Sequence, residues 1–364
     1  MSVAEQERPR LSPGVFRLPV EKIRDGYYSD AYFNHTKTLL EADDHHPRAL
    51  MQVFQRKASI LGGVDEAIAV LKQCAGRRGA DGKWVNGFKD LVVHALHEGD
   101  EIAPWETVLT VEGDYSLFAH LETVYLGCLA RRTLIMRNVR EVVEAANGKP
   151  ILYFPARHDH WLVQTGDGWA AHVAGAIGVS TDAQASWWGG RGVGTVPHAL
   201  IAAYGGDTAL AARKFADRFA AEMNVTVLVD FANDSVKTAL EAADALGPDL
   251  WGVRLDTSDR LVDEGLRRAG GNATGVSAPL VRLVREELDA HGCGAVRIVV
   301  SGGFTAERIR AFEAEGVPVD AYGVGSSLIR GSNDFTADIV MVDGRPAGKV
   351  GRELRPNPRL SRVM

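Results

Sequence analysis

Two stretches of the chain carry strand-forming residues into glycines where a helix can begin. They are Val299-Val300-Ser301-Gly302-Gly303-Phe304-Thr305 and Tyr322-Gly323-Val324-Gly325-Ser326-Ser327. Glycines at such a point leave backbone N–H groups uncovered by side chains, and that geometry binds phosphate. Gly302-Gly303 alone is equally a turn; with the second stretch, a two-lipped phosphate cup is the better reading. Other reactive side chains also follow β-rich runs: Arg157, His158 and His160; His198; Asp230; and Arg254, Asp256 and Asp259. Arg254 and Asp256 alternate along one strand and therefore face one side. Charged residues at the C-terminal end of such a strand are poorly explained as core packing. Asp230 has a rival role as a helix cap, because Asn233, Asp234 and Ser235 follow it. His198, taken alone, is as readily a structural donor as a reactive group. Asp256 and Asp230 are candidates to stand near a Mg²⁺ that travels with a polyphosphate. His45-His46 and His158/His160 lack partner ligands at short spacing, and Trp161, Trp169, Trp187 and Trp188 read as packing groups.

The elements that must position these residues fall into two rhythms. After Pro150, short β-rich runs recur: ILYF (151–154), GVGTV (192–196), VTVLVDF (225–231), LWGVRLD (250–256), AVRIVV (295–300) and VDAYGVG (319–325). Helical stretches such as TALAARKFADRFAAEM and APLVRLVREELDAHG separate them. This is β/α repetition around a parallel sheet covered on both faces. Polar residues at nearly every strand end favour an incomplete or irregular, TIM-like β/α barrel over an open sheet with one switch point. Earlier segments are mixed. Met51–Ala75 predicts a strand and then a helix starting near Gly63, residues 94–113 predict small β structure, and residues 116–148 predict two helices. The expected organisation is an arm over 1–20, a smaller α+β domain over 21–148, a barrel domain over 149–345 and a tail over 346–364.

Composition limits the partners. Forty-one basic and 47 acidic residues among 364 give a formal charge of −6, which argues against general nucleic-acid binding but permits a local basic pocket. The polar start MSVAEQERPR and the lack of an 18-residue apolar run predict a cytoplasmic protein without a membrane span. Cys74, Cys128 and Cys293 are scattered and read as reduced thiols.

An ordered set of motifs resembles the nicotinate phosphoribosyltransferases within the wider type II phosphoribosyltransferase group. The motifs are SDAYF (29–33), HEGD (97–100), ARHDH (156–160), GTVPHAL (194–200), GVRLDT (252–257), VVSGGF (299–304) and YGVGSSL (322–328). The likeness spans about residues 21–350. It implies transfer from 5-phosphoribosyl 1-diphosphate (PRPP) to nicotinate, giving nicotinate mononucleotide and pyrophosphate for NAD biosynthesis or salvage. It further implies Mg²⁺ and coupling to ATP hydrolysis through a phosphohistidine at His198. Tyr32 corresponds to a stacking aromatic contributed across a homodimer with shared sites, with higher oligomers open. Arg157 and His158 correspond to anion contacts, Thr195 lies in the histidine motif, and Arg254 and Asp256 face the ribose and diphosphate. Ser301, Gly302, Gly303, Gly323 and Gly325 correspond to the 5-phosphate clamp.

The chain departs from the family pattern where Thr257-Ser258 replace Ser-Gly after Asp256, and where Arg157-His158 replaces an arginine pair. It also lacks the Cys-rich tail of some relatives. Ser180 aligns with the position that reads the pyridine substituent and favours nicotinate over nicotinamide. Quinolinate phosphoribosyltransferase is a further alternative, disfavoured by the GTVPHAL segment. A non-catalytic phosphometabolite binder would retain the glycine clamp without needing both Asp256 and His198.

Overall fold

The structure, a computed structural model, describes residues 9–364, and the first part of the expected arm lies outside that range. The chain forms two compact units: residues 9–137 with 331–364, and residues 138–330.

The first unit is α+β. Strands β1 (Arg48–Phe54), β2 (Val92–Ala95) and β3 (Thr107–Asp114) pair antiparallel. Strand β3 alternates buried and half-buried residues from Leu109 to Asp114, as one packed sheet face requires. Helix α1 (Ala31–Ala42) carries Tyr32, and helix α2 (Val64–Cys74) lies buried over most of its length. Val64, Ile68 and Leu71 pack with Val53, Val93, Val111 and Leu121 in one apolar core. Helix α3 (Glu122–Ala145) then runs 24 residues without a break, where two helices were expected. No proline or glycine pair interrupts it, so nothing in the segment stops helical hydrogen bonding.

Helix α2 explains the HEGD motif. It starts after Gly63 at φ +81°, and Glu98 accepts hydrogen bonds from the N–H groups of Gly63 (3.0 Å) and Asp65 (3.1 Å). Two first-turn N–H groups that the helix cannot satisfy are thereby paired by a distant carboxylate. Asp65 in turn holds the arm. Arg10 Nη1 donates to its Oδ1 at 2.8 Å and the Leu11 N–H to its Oδ2 at 2.8 Å. The arm is thus pinned from Arg10 onward and is not loose there.

The second unit is a curled parallel sheet. Its strands are β4 (Ile151–Tyr153), β5 (Gly178–Val179), β6 (Val225–Leu228), β7 (Leu250–Leu255), β8 (Arg297–Val300) and β9 (Ala321–Val324), in the order β6-β7-β8-β9-β4-β5. Residues 193–196 reach both edges: the Val193 N–H donates to the Val179 carbonyl at 2.7 Å and the Val196 N–H to the Thr226 carbonyl at 2.8 Å. The second unit is the expected incomplete β/α barrel, and the first is the smaller α+β domain. Helices α4 (Gln164–Val173), α5 (His198–Ala203), α6 (Thr208–Phe219), α7 (Ser235–Leu246), α8 (Ala278–Ala290) and α9 (Ala306–Ala314) follow successive strands.

The chain leaves this sheet after Arg330. Strand β10 (Thr336–Val342) pairs antiparallel with β1, β11 (Arg345–Pro346) pairs with β10, and β12 (Ser361–Arg362) pairs with β2. Residues expected to close the barrel domain and form a tail instead complete the first sheet, giving it six strands. The physical reason is edge pairing, since β1 and β2 otherwise expose unpaired backbone groups. Cys74, Cys128 and Cys293 are free thiols.

Glu98→Ala should lower stability by about 2–4 kcal/mol by orphaning two first-turn donors, measured by chemical denaturation. Burial, and next the Asp65 carboxylate, push the Glu98 carboxyl above its ordinary range, outweighing the two N–H bonds that oppose the shift. A carboxyl with a raised native pKa favours folding fully below the unfolded value, and that contribution is lost as pH rises through the native value. Glu98→Gln should therefore show a flatter fall in stability between pH 5 and 8 than the wild type. A parallel fall in both proteins would contradict this.

Candidate functional site

Arg254 and Asp256 leave the C-terminal end of β7 on the same side, with Leu255 buried between them. Arg254 is four-fifths covered and heavily committed. Its Nε donates to Ser301 Oγ at 2.8 Å, its Nη1 to Thr195 Oγ1 at 3.3 Å and its Nη2 to Asp256 Oδ2 at 3.4 Å. The guanidinium lies 5.2 Å from the centre of the Phe154 ring. Burial lowers its pKa, opposed by Asp256 and Asp230. Ser301 Oγ also lies 2.8 Å from Asp256 Oδ1. One serine thus joins the guanidinium and the carboxylate, fixing both rotamers at the strand end.

Two cavities share this wall. The first, of about 190 Å³, is lined by Ser301, Gly302, Gly303, Gly323, Gly325 and Arg330, with Phe154, Arg157, His158, Arg254 and Asp256 among the other contacts. The second, of about 590 Å³, is lined by Ser180, Thr181, Thr195 and His198, and again by Phe154, Arg157, Arg254 and Asp256. Shared walls make them two ends of one cleft.

The first end is a cup of backbone donors. Gly302 and Gly303 have φ of +86° and +72°, a conformation that favours glycine. A Cβ at Gly302 would sit 3.2 Å from Asp256 Oδ1, and one at Gly323 would sit 2.7 Å from the Phe154 ring. Among the described residues, the N–H groups of Gly302, Gly303, Gly325, Ser326 and Ser327 have no backbone acceptor. Thr305 caps α9 just beyond, its side chain accepting from the Arg308 N–H. Arg308 braces the loop from below by donating to the carbonyls of Gly302 (2.8 Å) and Val276 (2.6 Å). An anion fits this arrangement through unpaired amides and a helix start.

His198 opens α5 at the other end, and its Nε2 lies 2.9 Å from Asp230 Oδ1. Asp230 is therefore a histidine partner; the capping role considered for it falls to Asp234, whose side chain accepts from the Lys237 N–H. Burial raises the Asp230 pKa, and the His198 hydrogen bond lowers it. Arg157 is exposed, and among the described residues its side chain has no hydrogen bond or ion pair, unlike Arg254. Burial and then Arg157 push the His158 imidazole below its ordinary range. His158 is therefore a neutral neighbour at pH 7 and not a second cation.

The structure gathers Arg157, His158, Ser180, Thr195, His198, Arg254, Asp256 and the five residues of the two lips around this cleft, with Asp230 behind His198. Tyr32 stands on α1 of the first unit, 60% exposed, with its hydroxyl 3.4 Å from Asp30 Oδ2. Asp259 is exposed and lines neither cavity, and His160 accepts from the Leu162 N–H. Sequence reasoning missed Phe154, the shared aromatic wall, and Arg330, the cation beside the cup. Phe154 carries no chemical signal of its own, whereas Arg330 ends the glycine-lip segment GVGSSLIR, where a basic residue beside the amides was a usable clue.

Residues 30–133 match the protein family described as quinolinate phosphoribosyl transferase, N-terminal domain. The crystal structure of nicotinate-nucleotide pyrophosphorylase from Pyrococcus furiosus is similar at 33% identity and TM-score 0.78, over 95% of this chain and 85% of that one. The Mycobacterium tuberculosis nicotinate phosphoribosyltransferase pncB1 is 34% identical over 69% of this chain and 54% of its own length. The chain therefore spans about half the length of the curated relatives it matches. The structure of human nicotinic acid phosphoribosyltransferase shares the fold at 18% identity and TM-score 0.64, over 88% of this chain and 76% of that one. Likeness at one-third identity across nearly the whole of this chain shows that it belongs to the type II phosphoribosyltransferases, the family of the nicotinate and quinolinate enzymes.

Proposed function

We propose that the protein transfers the phosphoribosyl group of PRPP to a pyridine carboxylate, forming nicotinate mononucleotide and pyrophosphate. The observation that carries this reading is the continuous cleft, with an amide cup at one end, the Arg254–Ser301–Asp256 cluster in the middle and His198–Asp230 at the other. The cup holds the 5-phosphate. The pyridine nitrogen attacks C1 of the ribose as the C1–O bond to diphosphate breaks, the leaving oxygen keeping the electron pair. Asp256, fixed by Ser301, places negative charge where the ribose becomes cationic. Arg157, not committed elsewhere among the described residues, is positioned to pair with an anionic group of either substrate. The ring nitrogen is already nucleophilic, so the residues chiefly align and neutralise.

A Mg²⁺ bound with the diphosphate would neutralise the leaving group. Among the described residues no three carboxylate, imidazole or thiolate groups gather, so the donor set fits an ion that takes most of its oxygens from substrate and water. Asp256, which lines the cleft, is the protein carboxylate proposed to meet it first, with Asp230 behind His198 as the other.

The nicotinate reading, with ATP as co-substrate, rests on His198. Its Nε2 donates to Asp230, which leaves the Nδ1 lone pair as the nucleophile for a phosphoryl group. ATP would then yield ADP and phosphohistidine, later hydrolysed. Quinolinate is the second reading, favoured by the family match over residues 30–133, and its use would release the second carboxylate as CO₂. The comparisons lean toward the quinolinate side of the family, and the histidine–aspartate pair leans toward nicotinate. We further propose a homodimer in which exposed Tyr32 reaches a partner's cleft, with action in the cytoplasm as a soluble enzyme.

The test supplies Mg²⁺ and PRPP with nicotinate, quinolinate or nicotinamide, with and without ATP, and follows mononucleotide and pyrophosphate. Nicotinate turnover accelerated by ATP is expected, with that acceleration lost in His198→Ala. CO₂ release with quinolinate alone would establish the second reading, and no mononucleotide from any ring would remove the enzymatic one. Gly302→Ala should raise the KM for PRPP at least about tenfold, through left-handed strain and crowding of Asp256. An unchanged KM would place the phosphate elsewhere. Mixing His198→Ala with Tyr32→Ala subunits should restore activity above either variant alone if the cleft is shared.

A further inference from the structure

Ser180 lines the His198 end of the cleft, together with Arg157 and Phe154. Its environment fixes how its hydroxyl is used. Gln184, 1% exposed, turns its side-chain oxygen back on the strand end after β5. That Oε1 accepts from the Ser180 N–H at 3.0 Å and the Thr181 N–H at 3.2 Å. Two backbone donors identify the atom as the amide oxygen, since the amide nitrogen has no lone pair to receive them. Ser180 Oγ lies 3.1 Å from the same Oε1. Two oxygens at that distance need a hydrogen between them, and only the serine has one.

Thr181 is treated in the same way. Its Oγ1 donates to Gln164 Oε1 at 3.0 Å and accepts from the Gln184 N–H at 3.1 Å. Both hydroxyls at the end of this strand thus direct their hydrogens to glutamine side chains, that of Gln184 buried and that of Gln164 half-buried.

We infer that Gln184 is a positioning residue that commits the Ser180 hydrogen inward, so that Ser180 presents the cleft with oxygen lone pairs and not with a donor. This rests on the reading that a pyridine carboxylate occupies the cleft, and it refines how that group is read. A carboxylate accepts hydrogen bonds and is repelled by a lone pair, whereas an amide offers N–H donors that a lone pair receives. Ser180 would therefore not select the acid, contrary to the role its alignment suggests. Selection of the acid falls to the guanidinium of Arg157. Turning the Ser180 hydroxyl to a bound carboxylate would leave two lone-pair-bearing oxygens 3.1 Å apart. Ser180 thereby weakens acid binding while tolerating the amide.

Ser180→Ala tests the sign. The variant keeps both backbone N–H bonds to Gln184, so the strand end is retained. With whichever pyridine-3-carboxylate the wild type turns over, KM should fall about threefold with kcat unchanged, the equivalent of one weak polar contact. A competitive nicotinamide inhibition constant, measured in the same assay, should rise. An unchanged or raised KM for the acid would overturn the inference. Gln184→Met provides the second arm. It removes the acceptor and frees the Ser180 hydrogen to turn outward, so acid KM should fall, and this fall should vanish when Ser180→Ala is added. An effect of Gln184→Met that is the same in both backgrounds would make Gln184 merely structural and refute the positioning role. Loss of folding in Gln184→Met leaves Ser180→Ala to decide. A wild type inactive with every pyridine would remove the parent reading itself, an outcome distinct from a wrong sign in an active enzyme.

Discussion

The site depends on how one largely covered guanidinium in the cleft wall is satisfied. Arg254 sits at a strand end with four-fifths of its side chain covered, and an unpaired charge there would be costly. Ser301, Thr195 and Asp256 meet its nitrogens, and Phe154 covers its face. These partners come from different strand ends: Ser301 follows β8, Thr195 lies in the 193–196 segment, and Phe154 follows β4. Satisfying the charge therefore draws these ends into register. Asp256 is held by the same serine that holds Arg254, so the carboxylate is oriented before any ligand arrives. The glycine cup then inherits its position, because Gly302 follows Ser301 directly and packs against Asp256. Mobile side chains in these places would have to be ordered on binding, and that ordering would subtract from affinity.

The two arginines divide the work by their commitments. Arg254 is a strut in the cleft wall with each of its three nitrogens donating a hydrogen bond, and Arg157 faces the cleft with its donors unused among the described residues. Burial, and then Arg157, lower the pKa of the neighbouring His158, which disfavours an imidazolium in place of the missing arginine of the family pair. Arg330 supplies a cation beside the cup from the other side. The same principle applies at the strand end after β5, where the side chains of Gln184 and Gln164 take the hydroxyl hydrogens. In each case the function of a cleft residue follows from what its polar atoms already bond behind the wall.

Much of this was legible in the residues, and the failures have physical causes. Arg254, Asp256 and the two glycine lips could be read because charge and double glycine are anomalous at strand ends. Asp230 was ambiguous because a carboxylate before a helix suits capping and catalysis alike; only the position of His198 separates the two. Strand β10 was assigned to the wrong unit because its pairing partner, β1, lies almost the whole chain away, and local pattern carries no pairing information. HEGD was recognised as a motif, but its Glu98 accepts from the N–H of Gly63, the helix cap 35 residues earlier, which spacing alone does not reveal. Ser180 could be aligned with the position that reads the pyridine substituent, but the direction of its hydrogen could not be read, because the acceptor belongs to a glutamine four residues on, unremarkable in sequence.

The central claim is the direction in which the cleft is read, phosphate cup first and histidine last. A crystal structure of the protein with PRPP and Mg²⁺ tests it most directly. The account predicts the 5-phosphate against the amides of Gly302, Gly303 and Gly325 to Ser327, with C1 of the ribose directed toward the His198 end. A 5-phosphate bound beside His198, with the cup free of the ligand, would contradict it.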